Sequence, residues 1–250
     1  MKYSGKTDIG LKRKNNQDCY KVISKENYLC AVVCDGMGGA KGGNVASSLA
    51  VRAFIKHIKT ETPSNTSNSI SVKEGKRIIK GAVDKANAAV YETANTDINL
   101  EGMGTTLVSV FISGNNIIVV NIGDSRLYTY KDNTLKQITN DHSFVQFLID
   151  KGSIKPEEAK NHPNRNIILR ALGVNEKVEP DIFVFKEEFD MLLLCSDGLT
   201  ALLGDDEITE VLKSDAKRKI TLKARVDTLI EKANIKGGVD NITAVLISNE

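Results

Sequence analysis

Histidine and cysteine are both scarce in this 250-residue chain, with three of the first and four of the second. No two cysteines stand as Cys-x-x-Cys, and His162 has no second histidine or cysteine at ligand spacing, so His162 is expected to be structural and not a metal ligand. Cys19, Cys30, Cys34 and Cys195 lie in or beside apolar, strand-like segments and are expected in the core as free thiols. No apolar run approaches the roughly 18 residues of a membrane helix. Residues 1–8 lack the apolar heart of a secretory leader, so a cytoplasmic protein is expected. Charge of one sign is also missing. The net charge is +2 and the signs are interleaved, which removes the basis for general binding to nucleic acid or anionic membrane.

Two phosphate-binding signatures are incomplete. Gly5-Lys6-Thr7 lacks the earlier glycine and leading strand of a phosphate loop. Gly36 and Gly38 are followed by Lys41 where a dinucleotide fingerprint needs its third glycine. Internal repeats and domain-sized linkers are absent as well. With 41% hydrophobic and 26% charged residues, the chain is expected to form one globular domain over 1–250.

What is present is a recurring junction. The apolar run 28–34 ends in Asp35-Gly36, the run 191–195 leads to Asp197-Gly198, and the run 117–122 leads to Gly123-Asp124. Each run has the length and aliphatic content of a buried strand. Asp240 stands before the apolar run 242–247, so an antiparallel neighbour of the 191–195 strand would bring Asp240 to the same edge as Asp197.

Further strands are expected over 19–23, 105–112, 116–122, 126–130, 135–138 and 182–185. Short polar turns suggest a meander across 105–138 and a hairpin over 182–195. Helices are expected over 44–59, 73–96, 144–151, 205–212 and 220–233, with Asp141 placed to cap the third. Residues 60–72 read as a Ser/Thr/Asn-rich loop. Grouped strands and grouped helices point to an α+β fold: two packed, mainly antiparallel sheets with helices outside.

Converged carboxylates repel, and divalent ions resolve that repulsion. An oxygen-only set at an accessible rim suits Mg²⁺ or Mn²⁺. Two ions sharing a carboxylate can activate a water and neutralise a phosphate, and an arginine can grip its oxygens. By spacing alone, Arg13 and Asp18 read as a solvated loop, and Asp124-Ser125-Arg126 reads equally as a hairpin turn with a surface arginine.

The ordered set Arg13-x-x-Asn16-Gln17-Asp18, Asp35-Gly36-Met37-Gly38-Gly39, Gly104-Thr105-Thr106, Gly123-Asp124-Ser125-Arg126, Asp141-His142-Ser143, His162-Pro163-x-Arg165, Arg170-Ala171-Leu172-Gly173, Ser196-Asp197-Gly198-Leu199 and Asp240-Asn241-Ile242-Thr243 resembles the bacterial metal-dependent type-2C serine/threonine protein phosphatases. The match spans nearly the whole chain in order. The resemblance implies a four-layer α-β-β-α sandwich with a binuclear Mn²⁺/Mg²⁺ centre. Hydrolysis of phosphoserine and phosphothreonine would then proceed by attack of a metal-bridging water. It implies that Asp35 bridges the ions, that the Gly36 carbonyl binds one, and that Asp197 and Asp240 hold the other. Asp18 would act through a water, Arg13 would bind the substrate phosphate, and Asp124 with Asp197 would hold a third, weaker ion. Residues 152–170 correspond to the family's flap. The implied partners are phosphorylated proteins, including a cognate serine/threonine kinase, with the enzyme itself a monomer.

Four positions depart from the family pattern: Gln17 for glutamate, Met37 for a histidine proposed as general acid, Asn44 for glutamate, and Ala201 for an aspartate of the third metal site. Other phosphatase chemistries fail on the letters. None of the four cysteines has an arginine six positions on, and no Asp-x-Asp follows a strand. A non-catalytic relative that keeps the fold is the contrasting reading, and joint retention of Arg13, Asp18, Asp35, Asp197 and Asp240 argues against it.

Overall fold

The computed structural model describes residues 1–63, 69–213 and 220–249, with backbone only at 40 and 41. Its first sheet contains β2 (Asp18–Ser24), β3 (Leu29–Met37), β5 (Leu107–Ser113), β6 (Asn116–Ile122) and β9 (Asp181–Phe185) in that order, with β4 (Gly104–Thr105) paired to the end of β3. The second runs β1 (Lys2–Asp8), β11 (Ile242–Ser248), β10 (Met191–Cys195), β7 (Arg126–Lys131), β8 (Thr134–Gln137). Every pairing is antiparallel.

The two-residue period of the strands builds the layers. In β3, Cys30, Val32 and Cys34 face the helices α1 (Gly39–Glu61) and α2 (Val72–Thr96). The alternate residues Leu29, Ala31 and Val33 face the other sheet. In β10, Leu193 and Cys195 meet α6 (Asp205–Leu212) and α7 (Leu222–Ile235), while Leu192 and Leu194 point inward. Strand β11 divides the same way, with Ala244 and Leu246 outward and Val245 and Ile247 inward. Both faces of both sheets are therefore mainly apolar, and the result is the expected four layers. Cys30, Cys34 and Cys195 are fully buried and all four cysteines are free.

Helix α2 is amphipathic, with Ile78, Ile79, Ala82, Val83, Ala86 and Val90 buried. Ser71 caps it, accepting from the Glu74 N–H at 3.3 Å, as the Ser-x-x-Glu spacing invites. Helix α1 starts at Gly39, five residues earlier than its apolar periodicity shows. Gly38, at φ +124°, turns the chain there.

Three expectations are corrected. The meander breaks at Gly123: β6 and β7 lie in different sheets, so Gly123-Asp124-Ser125 is a crossover and not a hairpin turn. Gly123 at φ +100° makes so short a crossover feasible. The hairpin over 182–195 fails likewise, because β9 joins β6 and β10 joins β7. The cap of α3 (Phe144–Asp150) is Ser143, accepting from the Gln146 N–H at 3.2 Å, while Asp141 grips Arg126. Strand β1 was not expected, since Lys-Tyr-Ser-Gly-Lys-Thr-Asp shows no apolar alternation; pairing with β11 at the sheet edge holds it. Two short helices are also present, α4 (Pro156–Ala159) and α5 (Asp197–Thr200). Residues 64–68 of the expected loop lie outside the described residues.

Phe54, on α1, is fully buried between the helices and their sheet. Phe54→Ala is expected to cost about 3–5 kcal/mol. Urea unfolding should show a lower midpoint at unchanged slope, and an unchanged midpoint would contradict this packing.

Candidate metal centre

The inward parity of β3 continues past Val33 to Asp35, so this carboxylate points into the seam between the sheets. Its direct register partner on β2 is Asp18. Side chains opposed in this way lie about 5 Å apart, and two full charges at that distance repel by about 3 kcal/mol at an effective dielectric near 20. Two further acids arrive from the second sheet. Asp197 follows β10 and opens α5, and Asp240 precedes β11. The antiparallel pairing of β10 with β11 puts both at one edge, as their order predicts. Asp124 enters from the Gly123 crossover.

Asp18 bridges the sheets. Its Oδ2 accepts from the Ser196 hydroxyl at 2.6 Å and the Thr243 hydroxyl at 2.7 Å, both from the opposite sheet. Its Oδ1 is buried with no hydrogen-bond partner, as is Oδ1 of Asp197. Asp35 and Asp197 are half-buried as residues, but their carboxyl groups lie deep and hydrogen-bond to one another.

Burial is the main force on this cluster, and mutual repulsion adds to it. Loss of solvent pushes Asp18 up to about 7 despite its two hydroxyl donors, with Asp197 and Asp240 adding to the rise. Burial and then Asp197 push Asp124 up to about 8. Asp35 is held well above the usual carboxylate range by burial, then by Asp18, Asp197 and Asp124. Asp197 is raised by burial and Asp240, while the hydrogen bond from Asp35 and the charges of Arg126 and Arg13 oppose the rise.

The cations differ in setting. Arg126 donates from Nε and Nη2 to Asp141, at 3.0 and 2.7 Å, and from Nη1 to the Tyr128 hydroxyl at 3.0 Å. Arg13 is half exposed and donates to Asp240 Oδ2 at 2.6 Å. That bond raises its pKa, and Asp35 and Asp197 add to the effect.

Glycines let backbone approach where side chains cannot. A Cβ on Gly36 would sit 1.9 Å from the Gly43 carbonyl oxygen, and one on Gly198 would sit 2.0 Å from that of Asn241. Loop 9–17 is tied to β11 by Asn241, whose side chain donates to the carbonyls of Ile9 and Asn15 and accepts from the Gln17 N–H. Thr106 ties β3 to the crossover. Its hydroxyl accepts from the Asp35 N–H at 2.9 Å and pairs with the Ser125 hydroxyl at 2.7 Å. The Gly123 N–H donates to His142 Nδ1 at 3.1 Å.

All five acids singled out in the sequence thus meet in one electrostatic cluster, with Arg13 at its open end and Gly36 beside it. Sequence reasoning gave no role to Ser196, Thr243, Asn241 and Thr106. Each lies within the quoted motifs beside an acid or a glycine, and only the pairing of the two sheets reveals its partner.

Does this set suit divalent ions? The donors are all oxygen, two buried carboxylate oxygens are orphaned, and the crowding of acids is relieved only by protons or cations. These properties fit hard cations. Among the described residues no three or more His, Cys, Asp or Glu are arranged around a single ion.

Comparison with known proteins agrees. The protein phosphatase 2C family matches residues 11–231. The serine/threonine phosphatase stp of Listeria welshimeri is 42% identical over 97% of this chain and 93% of its own length. The S. agalactiae serine/threonine phosphatase superposes with a TM-score of 0.89 at 35% identity, covering 100% of this chain and 99% of that one. The catalytic domain of the phosphatase PstP, in complex with two manganese ions, superposes with a TM-score of 0.79 at 35% identity over 98% of this chain and 96% of its own.

The raised acids set the pH dependence of the metal-free chain. An acid whose folded pKa exceeds its unfolded value, about 3.9 for Asp, stabilises the fold below the unfolded pKa. That contribution is lost as pH rises through the folded pKa. With Asp18 at about 7 and Asp124 at about 8, the melting temperature of chelator-treated protein should fall between pH 6 and pH 8.5. Added Mn²⁺ should restore it. A melting temperature flat across that window would contradict the buried cluster.

Proposed function

The chain belongs to the protein phosphatase 2C family and is a metal-dependent serine/threonine protein phosphatase, and from that premise we propose that the acidic seam is its catalytic centre, with Arg13 as the phosphate grip. The supporting observation is Asp18: one oxygen tied to Ser196 and Thr243, the other orphaned, directly opposite Asp35. Hydroxyl donors fix the anion without neutralising it.

Two ions, Mn²⁺ or Mg²⁺, would be held by Asp35 between them, by the Gly36 carbonyl on one side and by Asp197 and Asp240 on the other. Asp18 would act through a water, and Asp124 with Asp197 would hold a third, weaker ion. Ala201 brings no carboxylate to that third position. When bound, such a pair supplies a water of lowered pKa and neutralises charge on a phosphate ester.

The chain's own groups do the remainder. Arg13 is held by one bond to Asp240 and half exposed, so its planar fork can turn to two phosphate oxygens. Asp18, anchored at one oxygen, orients a water with the other. Thr106 holds Asp35 at its backbone N–H, so the carboxylate keeps its aim as charge shifts during the reaction. Met37 offers no proton to the leaving serine or threonine oxygen.

Residues 1–250 would act as one catalytic domain, with 152–170 as a flap beside the centre. Its substrates are phosphoproteins, among them a cognate kinase, and it works as a cytoplasmic monomer. No described helix is long and apolar enough to cross a membrane.

Purified protein is expected to release phosphate from phosphothreonine and phosphoserine peptides with Mn²⁺ and to stop with EDTA. Asp35→Asn or Asp240→Asn should lower kcat roughly a hundredfold or more, as losses at metal ligands and their shell do. Arg13→Ala should lower kcat/KM about 10- to 100-fold, the weight of a charge-assisted hydrogen bond. Full turnover in EDTA would overturn the reading.

A further inference from the structure

Beside the catalytic edge lies an open pocket of about 450 Å³ between β1, the following loop and α7. Its apolar rim is unusually bare. Leu11 is 64% and Ile235 77% exposed, and Val239 is 49% exposed nearby. Its polar lining is mostly acidic: Asp8, Asp227 and Glu231 against Lys6. Lys6 and Lys223 both pair with Asp227, and among the described residues Asp8 accepts from neutral donors, the Gly10 N–H and the Asn234 side chain.

This rim is continuous with the proposed phosphate site. Leu11 and Lys12 donate their N–H groups to the Gly238 carbonyl at 2.7 and 3.2 Å, and Gly10 packs against the Asp240 carbonyl so closely that a Cβ would lie 2.2 Å from it. Leu11 is two residues from Arg13, so their Cα atoms lie within about 7 Å. An extended peptide advances about 3.3 Å per residue. The second to fourth residues from a phosphorylated side chain seated on Arg13 therefore reach the pocket.

We propose that this pocket is a docking site for the polypeptide flanking the phosphoresidue of a protein substrate, selecting an apolar residue against Leu11 and Ile235 and a basic residue toward Asp8 and Glu231. The proposal rests on the phosphatase reading of the adjoining site, but its test separates the two.

Two phosphothreonine peptides serve as probes, one with Leu and Lys placed two to four residues from the phosphothreonine, the other with Gly and Ser there. Para-nitrophenyl phosphate, too small to reach the pocket, reports the chemistry alone. The wild-type chain should favour the Leu/Lys peptide about five- to tenfold in kcat/KM, the effect of partly burying one aliphatic side chain. Leu11→Ser with Ile235→Ser should abolish that preference and leave para-nitrophenyl phosphate hydrolysis unchanged. Glu231→Lys, an exposed charge reversal, should lower the preference for the Leu/Lys peptide over the Gly/Ser peptide. Equal rates on both peptides in the wild type, or a preference that survives both variants, overturn the docking site while the phosphatase reading stands. Failure of the wild type on para-nitrophenyl phosphate and on both peptides overturns that reading as well.

Discussion

The constraint on which this molecule turns is the mutual repulsion of carboxylates drawn into one seam. Asp18 and Asp35 face each other across a strand pair, and Asp197 and Asp240 come up from the opposing sheet. A fold driven by burial would exclude such a cluster, because buried charge is costly unless compensated. The two sheets nonetheless close over it with mainly apolar faces. Hydrophobic packing on either side thus holds together groups that repel at the centre. The energy stored in that arrangement favours whatever cation relieves it.

Compensation within the chain is partial, and its form matters. Ser196 and Thr243 give Asp18 dipoles, not charges, so the carboxylate keeps its demand for a cation. The hydrogen bond between Asp35 and Asp197 serves the same end, since a shared proton is readily displaced by metal. Rigid backbone clamps surround these soft contacts. Thr106 locks Asp35 to the Gly123 crossover, and Asn241 locks loop 9–17 to the start of β11. Acids that must stay close despite repulsion need a frame stiffer than themselves.

The strands carrying Asp35 and Asp197 were legible because they are buried on both faces and read as continuous apolar runs. The convergence of Asp240 with Asp197 was legible too, from strand order alone. The crossover at Gly123 was not. A two- or three-residue link normally makes a hairpin, and nothing in Gly-Asp-Ser declares that the next strand joins another sheet. The same limit hid the separation of β9 from β10. Asp141 was misread for a related reason: its spacing suits a helix cap, but Arg126, distant by 15 residues, claims it with a stronger, charge-assisted pair. Strand β1 escaped because an edge strand can be held by backbone pairing alone. The placement of the acids could be read because they stand at strand ends, while partners such as Thr243 depend on sheet pairing.

The two arginines near the cluster show how one charge can serve structure and another function. Arg126 is half-buried, and both carboxylate oxygens of Asp141 and the Tyr128 hydroxyl engage its Nε, Nη1 and Nη2. It tempers Asp124 and Asp197 from a fixed position. Arg13 has the opposite character: half exposed, on a loop, with one bond to Asp240. Moving it costs only an exposed pair, which is worth about 1 kcal/mol or less, whereas moving Arg126 would strand Asp141 in the interior. The same residue type is therefore committed in one place and available in the other. The available one stands where a phosphate would arrive.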